Sequence, residues 1–145
     1  MRERSPIQSV ALLVGVVFVV VGILGFIPGI TTNYHDLKFA GHNSDAQLLG
    51  IFDVSILHNI VHMLIGAAGI VLARTIDGAR TYLIGGGLVY LVLFVYRAIW
   101  HGETGSNWIP VNWADNVLHL ALGAGMVVIG VALSKGVVRR TAPAV

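Results

Sequence analysis

Ile7-Gln-Ser-Val-Ala-Leu-Leu-Val-Gly-Val-Val-Phe-Val-Val-Val-Gly-Ile-Leu-Gly-Phe-Ile27 contains no charged side chain and ends at Pro28-Gly29. A helix rising about 1.5 Å per residue needs roughly 20 mainly apolar residues to cross the ~30 Å of a bilayer's hydrocarbon. The run has that length. It follows Arg2 and Arg4 and so resembles a signal peptide, but it is too long for one and lacks a small-x-small cleavage site. It reads as a retained transmembrane helix.

Working outward, three more stretches pass the same test, at about 51–73, 81–99 and 113–133. The chain has 145 residues, of which 56% are apolar and 11% charged, far to the hydrophobic side of soluble domains. A soluble fold would have to bury four such runs in a chain long enough for one modest core. The expected fold is therefore all-α: a single domain over residues 1–145, forming an integral membrane four-helix bundle in the lipid bilayer. The net charge of +2 arises from few ionisable groups, and no basic stripe with interleaved aromatics is present, so nucleic acid is not an expected partner. Cysteine is absent, which excludes disulfides, thiolate metal sites, iron–sulfur clusters and a cysteine nucleophile.

Cytoplasmic loops of membrane proteins carry the excess of Lys and Arg. Arg2, Arg4, Arg74, Arg80, Lys135, Arg139 and Arg140 fall on one side of the expected spans, and only Lys38 and Arg97 on the other. This places both termini in the cytoplasm. Trp100, Trp108 and Trp113 gather around the third loop, where indole rings favour the membrane interface. The segment at about 28–50 is longer and polar, with His35, Asp36, His42, Asn43 and Asp45. It reads as a solvated external loop, with a cap over the helices as the alternative.

An internal match joins the second and fourth spans. Asn59-Ile-Val-His62-Met-Leu-Ile-Gly66 and Asn116-Val-Leu-His119-Leu-Ala-Leu-Gly123 share Asn-x-x-His-x-x-x-Gly, and a weaker echo pairs Gly15-Val-Val-Phe18 with Gly87-Leu-Val-Tyr90. Two hairpins in the same orientation, related by a pseudo-twofold axis along the membrane normal, account for both matches. Ser55, His58, Asn59, His62, Gly66 and Gly69 recur at helical spacing on one face, and Asn112, Asp115, Asn116, His119, Gly123 and Met126 repeat it. Gly15, Gly22, Gly25 and Gly29 form a stripe on the first helix; Tyr82, Gly86, Tyr90 and Arg97 form one on the third. Polar and small residues in hydrocarbon turn toward neighbouring helices.

His58 and His62 lie one helical turn apart, as do Asp115 and His119, so each pair projects from one side of its helix. If the two faces oppose each other, three imidazoles and a carboxylate converge. That donor set suits a divalent transition metal, with Asn59 and Asn116 orienting the rings. Alternatively His62 and His119 are axial ligands of a haem b between the helices, or the groups line a proton or solute path. Against these stands polar packing, in which Asn59, Asn116 and the histidines hold the helices together and no cofactor is bound.

Arg97 reads as a snorkelling side chain or a partner of Asp53 or Asp115, and Asp53 as a group favouring a helix N-terminus. Gly85-Gly86-Gly87 lies inside an apolar helix with no Lys-Ser/Thr after it, so it marks close packing or a bend and not a phosphate loop. No nucleophile, base and orienter arrangement is legible, so no catalytic residue is assigned.

Gly25-Phe26-Ile27-Pro28-Gly29, Leu49-Gly50-Ile51-Phe52, Leu57-His58-Asn59-Ile60-Val61-His62 and Ala114-Asp115-Asn116-Val117-Leu118-His119 resemble the recurring blocks of an uncharacterised family of small bacterial, largely actinobacterial, four-helix integral membrane proteins known as a domain of unknown function. The resemblance spans nearly the whole chain. It implies four spans and a bacterial cytoplasmic (inner) membrane, and it brings no activity, cofactor or catalytic residue. The functional expectation is a structural, oligomeric or accessory membrane component with a second copy or a membrane protein as partner. A metal- or haem-binding protein and a small proton- or solute-coupled carrier are the alternatives.

Overall fold

The computed structural model of the protein describes residues 3–40, 44–100 and 111–141, with side chains described through 134. Four helices dominate: α1 (Pro6–Leu24), α2 (Ile56–Leu72), α3 (Ile76–Ile99) and α4 (Trp113–Thr141). Each starts at a polar cap, where side chains engage backbone amides at the helix N-terminus. Before α1, Ser5 N and Oγ donate to Gln8 Oε1 at 3.1 and 2.9 Å. Before α2, Ser55 Oγ accepts from His58 N at 3.1 Å, and before α3, Thr75 Oγ1 accepts from Gly78 N at 3.0 Å. At α4 the cap is reciprocal: Asn112 Oδ1 accepts from Asp115 N, and Asp115 Oδ2 accepts from Asn112 N, both at 3.0 Å.

The helices alternate in direction. Gln8 Nε2, at the start of α1, donates to the carbonyls of Ala73 and Arg74 at the end of α2, at 3.1 and 2.9 Å. At the other end, Gly25, just past α1, lies directly against the Asn59 carboxamide in the first turn of α2. Between these ends the two backbones come close at paired glycines: a Cβ on Gly15 would sit 2.8 Å from Gly66 O, and one on Gly66 would sit 2.6 Å from Gly15 O. Helices α3 and α4 meet the same way, with a Cβ on Gly87 falling 2.8 Å from Gly123 O and one on Gly123 falling 2.9 Å from Gly87 O. Only glycine permits this approach. Of the glycine triplet, Gly87 makes this close approach, whereas a Cβ on Gly85 would meet nothing within 4 Å.

The interior between the hairpins is filled by Ile7, Ala11, Phe18, Tyr82, Leu83, Tyr90 and Met126. The outer surface is apolar all round: Leu13 of α1, Leu64 of α2, Val92 of α3 and Val128 of α4 are each more than 60% exposed. In water such a belt would drive association, whereas against lipid it is the required face. Helices α1 and α3, and α4 through Ser134, are long and apolar enough to cross a membrane; α2 is apolar but has 17 residues.

Several boundaries differ from the sequence expectation. The second span was expected from residue 51, yet Phe52–Asp53 form a strand and α2 begins at Ile56, after the Ser55 cap. Helix α3 begins at Ile76, five residues before the expected start of its apolar run, because Thr75 caps it and Asp77 and Arg80 are exposed on its first turns. Helix α1 ends at Leu24 and α4 continues to Thr141.

The polar segment after α1 is a cap as well as a loop. Strands β1 (Thr31–Thr32), β2 (Gln47–Leu48) and β3 (Phe52–Asp53) form an antiparallel sheet in the order β1-β2-β3. Leu49 and Gly50 turn between β2 and β3 at positive φ, 55° and 69°, the backbone handedness a tight hairpin demands. Ala46, Leu48 and Val54 are buried beneath the cap against Val21, Leu24, Ile30, Leu37 and Phe52. The chain entering the cap also closes the start of α2, where Ile56 N and Leu57 N donate to Lys38 O and Phe39 O at 3.0 and 2.9 Å. His42 and Asn43 lie outside the described residues.

Candidate functional site

The cap end of the helices holds the polar faces read from the sequence. On α2 the imidazoles of His58 and His62 stack, with ring centroids 4.4 Å apart and an interplanar angle of 14°. His62 Nδ1 lies 3.1 Å from His58 O, one turn back, and Nε2 lies 3.4 Å from the Tyr90 hydroxyl on α3. A ring nitrogen facing a carbonyl carries the proton in a neutral imidazole, so Nδ1 donates and Nε2 accepts from Tyr90. Tyr90 in turn packs on Phe18 of α1 and on His119 of α4, with centroids 5.5 and 5.1 Å away, and Phe18 meets the edge of His62 at 5.7 Å. Tyr90 thus touches both histidine faces.

His119 is only 5% exposed, and its Nδ1 has no hydrogen-bond partner. Leaving a buried polar atom unpaired costs about 1–3 kcal/mol. Asn59 and Asn116 are 1% and 2% exposed. Asn59 fills the space left by Gly25, and Asn59 Nδ2 and Asn116 Oδ1 are likewise unpaired.

Asp115 does not join the histidines in a ligand set. Its Oδ2 accepts from Asn112 N and from Asp53 N of β3, each at 3.0 Å, so one carboxylate oxygen both caps α4 and clips the cap sheet onto it. Asn112 reinforces the clip by donating from Nδ2 to Ile51 O at 2.6 Å. Among the described residues, no group of three or more His, Asp or Glu side chains is placed to hold a metal ion. Of the four groups whose convergence spacing suggested, His58, His62 and His119 line one cavity, while the amides of β3 and the α4 cap engage the Asp115 carboxylate. Between the two histidines proposed as axial ligands lies Tyr90, its hydroxyl facing His62 Nε2 and its ring against His119.

Arg97 was expected to snorkel or to pair with an aspartate. Instead its Nε donates to Val111 O at 2.8 Å and its Nη1 to Trp100 O at 3.3 Å, tying the end of α3 to the residue before the α4 cap. Asp53 receives a hydrogen bond on Oδ1 from Gln47 Nε2 at 3.0 Å, within the sheet, and lies in β3, not in a helix. Trp100 and Trp113 are exposed at this end of the molecule, and Trp108 lies outside the described residues.

A partly open cavity of about 280 Å³ adjoins the aromatic cluster. His58, His62, Tyr90 and His119 line it together with Leu57, Val61, Ile65 and Leu93. Spacing placed Tyr90 on the inward stripe of the third helix but gave it no role beside the histidines. Its signal was the echo of Gly15-Val-Val-Phe18 in Gly87-Leu-Val-Tyr90, which puts Tyr90 beside the fourth helix as Phe18 is beside the second.

These features define an all-helical protein with three helices of membrane-spanning length, an apolar exterior and a polar, aromatic cluster under a small cap. The chain belongs to the family described as Domain of unknown function (DUF4383), whose family model matches residues 8–132 and so takes in the cap and both histidine faces. No curated protein and no solved structure matches it.

Proposed function

We propose that the protein is a non-enzymatic, multi-pass component of a bacterial cytoplasmic membrane, a four-helix bundle of two duplicated hairpins whose polar faces hold the chain together. The observation that carries this reading is how the candidate reactive groups are used. Asp115, Asn112, Ser55 and Arg97 all bond to the chain's own backbone. Crossing by α2 is supported by its contacts with α1, since Gln8 meets its last carbonyls and Gly25 its first turn. The two helices therefore traverse the same thickness. Duplication is supported by the reciprocal glycine contacts, Gly15 with Gly66 and Gly87 with Gly123.

Arg4, Arg74 and Arg80 belong to the end opposite the cap, and Lys38 and Arg97 to the cap end. By the positive-inside rule that distribution directs the termini to the cytoplasm and the cap outward.

Most helix glycines are used inside the chain, but a Cβ on Gly85 or Gly125 would meet nothing within 4 Å. These open small-residue positions support an oligomeric or accessory role, in which a second copy packs on α3 and α4. The test is purification in mild detergent, with absorption, elemental analysis and mass measured beside a His62→Ala, His119→Ala double variant and a Gly125→Leu variant. The expected result is no Soret band, no stoichiometric metal, and a mass above the monomer that Gly125→Leu lowers. A Soret band or a metal lost in the double variant would replace this reading with a cofactor protein, and a lone monomer would remove the oligomeric role.

A further inference from the structure

The cavity beside the histidines has an almost wholly apolar surface, although imidazoles and a phenol stand in its wall. Their polar atoms are engaged or covered. His62 Nδ1 faces His58 O and Nε2 the Tyr90 hydroxyl, His119 Nδ1 is buried, and the Tyr90 and His119 rings pack on each other at 5.1 Å. A buried water needs about two to four polar partners, and this lining does not supply them. An empty apolar cavity forfeits dispersion contacts along its walls, and one of only about 150 Å³ already takes up a small hydrocarbon. At about 280 Å³ this cavity has room for a longer one.

The lining also gives the cavity a direction. Leu57, Val61 and Ile65 stand on successive turns of one face of α2, and the rise between the first and last is about 12 Å. Ser55 and Ala40 close the cap end of this slot, where exposed Trp100 and Trp113 mark the level of the membrane interface. Its open side is continuous with the lipid-facing surface. Val61 is itself exposed, beside Ile60 and Leu64 on α2, and Val89 and Val92 are exposed on α3. No Lys, Arg, Asp or Glu side chain lines the slot, so a charged headgroup would find no counter-charge inside.

We propose that the slot holds part of one acyl chain of a phospholipid from the cap-side leaflet, with the headgroup left at the interface and the hydrocarbon running past Leu57 and Val61 to Ile65. The occupant needs no hydrogen bond from the protein, which matches the lining. Its affinity comes from apolar area removed from the bilayer's disordered chains into fixed contact with the slot. The inference rests on the membrane reading given above.

The full chain is placed in palmitoyl-oleoyl phosphatidylglycerol nanodiscs containing a rising fraction of the same lipid with a photoreactive diazirine on one acyl chain, and adducts are mapped by mass spectrometry. Labelling in the slot should saturate at one lipid per chain, while labelling at Leu13 and Val128 on the outer belt should rise in proportion to the probe. A diazirine near the carboxyl carbon should mark Leu57, and one at mid-chain Val61 and Ile65. Val61→Trp, at an exposed position, should block the mouth and abolish labelling of Leu57 and Ile65, and Val92→Trp should leave it unchanged. The proposal is overturned if slot labelling stays proportional to the probe, if the order of depths is reversed, or if labelling persists in Val61→Trp. Saturation and depth order are read on the unaltered chain and need no variant to fold. Failure of the membrane reading itself would look different, because Leu13 and Val128 would then also go unlabelled.

Discussion

The α1–α2 hairpin and the α3–α4 hairpin are held by the same backbone contact but carry different polar groups around it. Gly15 meets Gly66 in one and Gly87 meets Gly123 in the other, with nearly equal approach. At the cap end the hairpins diverge. Where α2 has His58, stacked on His62, α4 has Asp115, clipped to β3. Where α1 has Phe18, α3 has Tyr90, and His62 Nδ1 finds a carbonyl while His119 Nδ1 finds none. At the opposite end Gln8 ties α1 to the end of α2. The lesson is a division of labour: glycine contacts fix the pairing of helices, and the polar positions are free to differ in what they bind.

The largest effect should come from filling the shared contact. Gly66→Leu and Gly123→Leu each force side-chain atoms into a facing backbone, and overpacking of this kind costs about 3 kcal/mol or more. Reversible unfolding in mixed micelles should show both variants strongly destabilised, and to a similar extent. A mild effect in only one hairpin would break the comparison. Next, Asp115→Ala strips the acceptor from two backbone amides and should cost about 2–3 kcal/mol, with faster hydrogen exchange at Asp53 N. His58→Ala, at the matching place in α2, should leave exchange in the cap unchanged. The smallest effect is expected for Gln8→Ala, about 1 kcal/mol, read as faster proteolysis or exchange at the α2–α3 turn with the α4 end unaffected.

Much of this organisation was legible in the sequence because membrane helices announce themselves locally. The uncharged run from Ile7 to Ile27 needs no distant partner to be read as a helix. The start of α2 was not legible in the same way, since Ile51 and Phe52 are apolar and extend the run by composition. What removes them is pairing between β2 and β3, and two-residue strands have no period to detect. For the same reason the sequence left the cap as the alternative to a solvated loop. Helical spacing groups the polar faces of α2 and α4, but spacing gives direction and not contact, so the contacts of Tyr90 with both His62 and His119 are not derivable from it. The bonds of Asp115 had a signal in the sequence: Asn112-x-x-Asp115 has the form of a helix cap with an acidic residue that reaches back to it.

The central claim is that α2 crosses the membrane along with α1, α3 and α4. The chain has no cysteine, so a single introduced thiol reports without background. Asp45→Cys places it in the exposed cap and Asp77→Cys at the exposed start of α3. A membrane-impermeant maleimide applied to intact cells should label Asp45→Cys and should label Asp77→Cys only after permeabilisation. Labelling of both positions in intact cells would put the two ends of α2 on one side of the membrane and contradict the account.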